Sequence, residues 1–234
     1  METTMYDNLL LLPLFQGLSK NDMTTIIEKV KLDFQSYPKG ETIIRQGAPC
    51  EKLCFLLNGE LRVQTKDAKH AYALTEIIKE PMVIEPQSLF GMQTHYTASY
   101  QAHTQVSVLM IDKAFIFSDL NNYEIFRINY LNILSNRNQV SYQKLWNTHI
   151  GTINEKFVNF IALRCQLQGG EKILQTTMED LAFLINETRI NLSRLLNDLQ
   201  DKGLVQLKRK EILIPRFEKL IAHLDESNLN DMEL

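Results

Sequence analysis

The chain has 234 residues, which suits one large domain or two small ones. Its 44% apolar and 23% charged content is that of an ordinary soluble protein, and no apolar run approaches the roughly 18–20 residues that cross a bilayer. Cys50, Cys54 and Cys165 are odd in number and too few for a disulfide framework or an iron–sulfur cluster, and the net charge of −3 carries no global signature of a polyanion partner.

Leu9 to Phe15 is apolar but short. No basic residue precedes it and no small-residue cleavage site follows, so it does not read as a secretory signal and a cytoplasmic protein is expected. Residues 6–35 carry helical patterning, with Ser19 and Asp22 spaced as a capping box and Ile26, Ile27 and Val30 at helical intervals. From Tyr37 to Ile111 short apolar runs alternate with turns at Gly40, Gly47, Gly59 and Gly91. Asn58-Gly59 between the runs Leu53–Leu57 and Leu61–Val63 predicts a hairpin, and Val106–Ile111 predicts a further strand. Many short strands at this spacing predict a small β-barrel or roll.

Between Ala114 and Asn147 there is no Gly or Pro. Ile125, Ile128, Leu131, Leu134 and Leu145 follow a helical period, which predicts a helix longer than about 25 residues. Such a helix needs a partner for its apolar stripe, often the same helix of a second subunit. Another helix is predicted from Ile153 to Gln168, stopped by Gly169-Gly170, with two short helices and a hairpin after it. Phe217, Leu220, Ile221 and Leu224 predict a short amphipathic helix, and the acidic end beyond it is compatible with disorder.

The strongest functional signal lies between Thr176 and Val205. Thr177 is placed to cap a helix whose third residue is Asp180, with Leu181, Leu184 and Ile185 on the apolar face. Asn186 falls at a turn where left-handed backbone is needed, and Thr188 is placed to cap a second helix. On that second helix Leu192, Leu195, Leu196 and Leu199 share one arc. Arg189, Ile190, Ser193, Arg194 and Asn197 share the opposite one. After Gly203, Leu204–Leu207 and Ile212–Ile214 are joined through Lys208-Arg209-Lys210, a basic hairpin. A helix-turn-helix with a basic wing is expected to set its second helix in the major groove. Arg189, Ile190, Ser193 and Arg194 would then meet base edges, and Thr177, Thr188, Asn191, Lys208, Arg209 and Lys210 the phosphate backbone. From Asn186 to Arg216 there are seven basic and four acidic residues; from Glu218 onward there are five acids and one lysine, which mask that surplus in the total.

These residues carry a resemblance. Thr177 to Val205 is similar to the DNA-binding segment of the Crp/Fnr family of bacterial regulators. That family's recognition helix usually begins Ser-Arg-Glu-Thr-Val-Ser-Arg; this chain has Thr188-Arg189-Ile190-Asn191-Leu192-Ser193-Arg194. Both arginines match, and Ile190 replaces the glutamate. Tyr37–Gly47 resembles the start of the family's cyclic-nucleotide-binding roll, Leu53–Val63 its next hairpin, and the long helix after Ala114 its dimerisation helix. The resemblance implies an α+β fold: an N-terminal β-roll (double-stranded β-helix) sensor over 1–116, a dimerisation helix and hinge over 117–150, and a winged helix-turn-helix with a C-terminal extension over 151–234. It implies a homodimer joined through Ile128, Leu131, Leu134 and Leu145, acting on double-stranded DNA and with RNA polymerase, and no membrane partner. No Walker loop, Gly-x-Ser-x-Gly, His-Glu-x-x-His or Cys-x-x-Cys points to an enzyme.

The effector is less legible. In nucleotide-binding members of the family a glutamate holds the ribose and an Arg-Ser or Arg-Thr pair holds the cyclic phosphate. Here Glu85 and Ser88 fall near the first position, and Tyr96-Thr97 near the second, with Tyr96 where the arginine is expected. No arginine occurs between Arg62 and Arg127, so a phosphate there lacks its main partner and cAMP is disfavoured. The alternatives are haem, with His70, His95, His103, His149 or one of several methionines as ligands, redox sensing through Cys50 and Cys54, and an apolar or protein ligand or no ligand at all. A nucleotide-binding subunit without a DNA role is more distant, because the winged helix is complete.

Overall fold

The structure, a computed structural model, describes residues 9–69, 71–79, 81–146 and 151–232. The chain divides into two compact units, one made of residues 1–62 and 79–138, the other of 63–78 and 139–234.

In the first unit, helix α1 (Lys20–Lys29) is entered through the expected capping box, in which the Asp22 amide donates to Ser19 Oγ at 3.1 Å and the Ser19 amide to Asp22 Oδ2 at 3.2 Å. Helical patterning ends earlier than expected, because residues 33–35 already belong to strand β1 (Asp33–Tyr37). After β2 (Thr42–Ile44), β3 (Lys52–Asn58) enters a four-stranded antiparallel sheet with β1, β6 (Met82–Ile84) and β8 (Val106–Asp112), in the order β1-β8-β3-β6. β2 pairs antiparallel with β7 (Ser99–Ala102). The four-stranded sheet and the β2–β7 ladder belong to the expected roll.

Asn58-Gly59 is not a hairpin turn. β3 pairs with β6 and β8, whereas β4 (Leu61–Asp67) lies in the other sheet beside β5 (Tyr72–Ile78), so the dipeptide is a corner between sheets. Gly59 has φ +91° and a Cβ there would stand 2.2 Å from the Gln105 carbonyl oxygen. Asn-Gly is used for close backbone approach, a need that no local pattern reveals.

The long helix is also broken. α2 (Lys113–Ser118) stops, a 3-10 turn covers Leu120–Asn122, and α3 then runs from Glu124 to Trp146, 23 residues. Asn122 Nδ2 donates to the Ser118 carbonyl at 2.7 Å, the side-chain-to-backbone bond by which Asn competes with helix. Phe126, at the start of α3, is buried against Phe15, whose ring also meets Phe55; both pairs have centroids 5.7 Å apart.

The second unit holds α4 (Ile153–Ala162), β9 (Lys172–Gln175), α5 (Met178–Leu184), α6 (Arg189–Asp201), β10 (Gln206–Lys208), β11 (Glu211–Ile214) and α7 (Phe217–Met232). α4 ends at Ala162 rather than Gln168. The amides of Gln166 and Leu167 donate instead to the Glu76 carboxylate, at 2.6 and 3.3 Å, so the chain leaves the helix there. β9, absent from the sequence reading, pairs antiparallel with β11 on one side and with β5 on the other. The ribbon β4-β5 thus extends the sheet of the wing, and Leu74 of β5 is buried in the same core as Leu181, Leu192, Leu196 and Phe217. α7 is 16 residues long and runs into the acidic end, further than the short helix expected. Among the described residues no helix is long and apolar enough to cross a membrane.

Candidate nucleic-acid interface and sensor cradle

The helix-turn-helix forms because its local signals agree. Thr177 Oγ1 accepts from the Asp180 amide at 3.1 Å and Thr188 Oγ1 from the Asn191 amide at 3.2 Å, so each cap satisfies an N–H that the helix leaves without a partner. α5 closes in a Schellman turn: Asn186 stands at φ +53°, the Glu187 amide donates to the Ala182 carbonyl at 2.8 Å and the Asn186 amide to that of Phe183 at 3.1 Å. α6 closes in the same way through Gly203, with Leu204 N–H to Leu199 O and Gly203 N–H to Gln200 O, both at 2.9 Å. Leu181, Ile185, Leu192, Leu196 and Leu199 are buried as expected, while Leu184 and Leu195 are only partly covered.

The residues expected at base edges lie on the open side of α6. Arg189, Ile190 and Arg194 are exposed, Ile190 at 65%, and Ser193 is half-buried. A large apolar side chain that open to water has no packing role in this chain. Arg189 Nε is 3.2 Å from Glu179 Oε1 of α5. Among the residues expected at phosphates, Asn191 and Thr188 are exposed, Thr177 is half-buried, and Lys208, Arg209 and Lys210 form the exposed wing tip. Lys208 pairs with Glu211 at 3.2 Å, and Lys210 takes φ +57° to close the turn. Leu207 N–H donates to Gln200 Oε1 at 2.9 Å, which ties the wing to α6.

α4 is fastened to the turn by Lys156 and Glu187, 2.7 Å apart and mostly buried. The hydrogen bond from Lys156 holds the Glu187 carboxyl below the usual range, against the upward push of burial. A carboxyl lowered in this way adds stability above its unfolded pKa, near 4.3, and that contribution is lost as pH falls through the lower folded value. Lys156→Met should therefore reduce the loss of stability of this unit below about pH 4, measured by urea midpoints at neutral and acid pH. An identical acid profile in the variant would count against the assignment.

In the first unit, residues expected at an effector site come together around Glu85. Glu85 is fully buried at the end of β6, with φ +38° and ψ +54° immediately before Pro86. Left-handed backbone at a non-glycine residue costs about 1–3 kcal/mol and persists where the surroundings enforce it. Four donors do so: Ser88 Oγ at 3.0 Å, the Thr97 amide at 2.7 Å, the Ala98 amide at 3.0 Å and Tyr100 Oη at 3.0 Å. Tyr96 is buried nearby but directs its hydroxyl to the Lys52 carbonyl at 3.0 Å. Ala98 and Tyr100 were not foreseen: Ala98 contributes only its backbone amide, which no side-chain pattern marks, and Tyr100 reaches Glu85 across 15 residues.

One arginine of α3 reaches the segment that carries Glu85. Arg137 donates to Gln87 Oε1 at 2.6 Å and to the Val83 carbonyl at 3.3 Å; burial lowers its pKa, opposed by nearby Tyr100 and Glu85. Tyr130, two turns earlier, donates to the Pro86 carbonyl at 2.6 Å. An apolar cleft of about 240 Å³ lies between α2 and α3, lined by Phe117, Phe126 and Tyr130 among others. The remaining candidates are less favoured by their surroundings. His95 and His103 are exposed, and His70 and His149 lie outside the described residues. Cys50 and Cys54 are buried, and burial pushes the Cys54 thiol up to about 12, away from the reactive thiolate.

Comparison with known proteins gives the same two parts. Residues 34–123 match the cyclic nucleotide-binding domain family and residues 155–223 the Crp-like helix-turn-helix domain family. A CRP-like cAMP-activated global transcriptional regulator of Mycobacterium tuberculosis is 21% identical over 215 residues, covering 88% of this chain and 94% of its own. Among solved structures, a candidate Crp/Fnr regulator from Eubacterium rectale aligns over 90% of this chain and 97% of its own, with 18% identity and a TM-score of 0.52. The c-di-GMP-responsive global regulator CLP of Xanthomonas campestris aligns over 84% and 99%, with 16% identity and a TM-score of 0.51. With both domain families matched in the order that the roll and the capped helix-turn-helix require, the chain belongs to the Crp/Fnr family: it is a DNA-binding transcription regulator and not an enzyme.

Proposed function

We propose that the protein works as a homodimer on a pseudo-palindromic operator, that α3 joins the two copies, and that its effector is not a cyclic nucleotide. The observation that carries this reading is the exposed apolar stripe of α3. Ile128, Leu131, Tyr142 and Leu145 are 48–61% exposed and fall at the first and fourth positions of two heptads in one register. Polar Ser135 and Asn138 occupy the heptad between them, the kind of interruption that sets register at some cost in stability. Leu134, the other residue expected there, is half-buried within its own chain. A second copy is the partner that matches such a stripe in symmetry, since one patch then covers itself.

Two-fold symmetry places the two α6 helices in successive major grooves, with half-sites about one helical turn apart. In each half-site Arg189 and Arg194 favour guanine, while Ile190 packs on a thymine methyl where a glutamate would accept from cytosine. Thr177, Thr188, Asn191 and the wing tip fix the register on phosphates. RNA polymerase is the partner through which bound protein alters transcription, in a cytoplasmic setting. Sedimentation should give about twice the 27.2 kDa chain mass, and Leu131→Asp should give monomers that lose the operator but keep a folded winged helix. A wild-type monomer protecting a single half-site on DNA would sink the reading.

A further inference from the structure

We propose that Glu85 is a built-in ligand: its carboxylate fills the anion cradle of the roll, so the sensor unit reaches its ordered state without an external cyclic nucleotide. The proposal rests on reading the roll as the regulator's sensor unit, and the test below reads the roll itself rather than DNA binding.

The cradle is an anion site by its chemistry. Two successive backbone amides, Thr97 and Ala98, and two hydroxyls, Ser88 and Tyr100, converge on one buried carboxylate. Each oxygen takes two donors, Oε2 from Ser88 and Thr97, Oε1 from Ala98 and Tyr100, which is a full complement for an acceptor-only group. Any external phosphate or carboxylate would need these same donors. It would have to displace an anion that is already tethered beside them, at high effective concentration and with no translational entropy left to lose.

The cradle is also connected. The segment that carries Glu85 is gripped from α3, where Tyr130 holds the Pro86 carbonyl and Arg137 holds the Val83 carbonyl and Gln87. Glu85 therefore fixes the conformation of the loop on which α3 rests, the place where ligand occupancy would otherwise be felt. The left-handed backbone at Glu85 has the same source, because that conformation aims the carboxylate inward.

The direct test is chemical rescue in the full-length protein. Glu85→Gly removes the carboxylate and suits the positive φ, and formate is the probe that restores a carboxylate without its tether. Formate at ten times its dissociation constant should raise the melting midpoint of E85G by about 3–6 °C, with chloride at equal ionic strength as the control and wild type unmoved. No formate-specific rise in E85G, or an equal rise in wild type, overturns the proposal. Should E85G not fold, the wild type still decides. Millimolar cAMP and inorganic phosphate should each leave the Thr97 and Ala98 amide resonances in place, and movement of those signals by either probe overturns the proposal.

Discussion

Replacing Glu76 with Ala should destabilise the DNA-binding unit by about 3–5 kcal/mol, the range for removing one partner of a buried ion pair. Glu76 lies in β5 at 4% exposure and Lys172 in β9 at 0%, with Nζ and Oε2 2.6 Å apart. They face each other in the register of the two strands. E76A leaves the Lys172 ammonium in the core without its counter-charge. It also strips the Gln166 and Leu167 amides of their acceptor. The reverse change, Lys172→Met, leaves a carboxylate that still accepts from those two amides, so its cost should be smaller. The double change Glu76→Leu with Lys172→Met removes both charges and should recover stability relative to E76A, since apolar replacement of a buried pair is often neutral or better. The consequence reaches DNA binding because β9 stands between β5 and β11 of the wing. Without β5, β9 becomes an open edge and Leu74 is withdrawn from the core beneath α6. Denaturant unfolding followed in this unit checks the ordering. If E76A lost under about 1 kcal/mol, or the double variant were as unstable as E76A, the pair would not be holding the seam.

What was legible in the sequence was whatever is encoded within one turn. The caps at Ser19, Thr177 and Thr188, the left-handed Asn186 and the leucine arc of α6 are interactions between residues three to five apart, and each stands where its spacing placed it. The features missed are those decided at long range. Glu76 and Lys172 are 96 residues apart, and neither strand carries a mark naming the other. Asn58-Gly59 has the composition of a hairpin, yet the backbone of Gln105, not a partner strand, demands the glycine. Arg137, which grips Gln87 and the Val83 carbonyl, could not be placed beside the roll from sequence, because the fold brings its guanidinium in from α3, 50 residues or more along the chain. Glu85 was singled out by its place before Ser88, but the convergence of Thr97, Ala98 and Tyr100 on its carboxylate is made between residues 12 to 15 apart and is visible only in the fold.

Under the proposed mode of DNA reading, Arg194→Ala should weaken operator binding by about 1–3 kcal/mol, roughly 5- to 150-fold, and relax the preference at one base pair of each half-site. Arg189→Ala should cost less. The Arg189 guanidinium already meets Glu179 at 3.2 Å, and moving it to a base edge must give up that exposed ion pair, a contact of about 0.2–1 kcal/mol. Glu179→Gln should accordingly tighten binding slightly, provided Arg189 is intact. Lys210→Ala at the wing tip should behave differently, weakening all sequences alike and lowering the salt slope by about one, as loss of a phosphate contact does. Ile190 separates the readings most sharply. Its exposed side chain has no hydrogen-bonding capacity, so wild type should prefer A·T at that step, and Ile190→Glu should move the preference to C·G without changing the neighbouring guanines. Selection of bound sequences from a random pool, followed by salt-dependent titration of the winners, measures all five effects together. An unchanged preference in I190E would remove Ile190 from the base-reading face, and equal salt slopes in the Lys210 variant and wild type would remove the wing tip from the phosphate contacts. The two results are independent, because the side chain at a base edge alters which sequence wins and the side chain at a phosphate alters only how tightly every sequence is held.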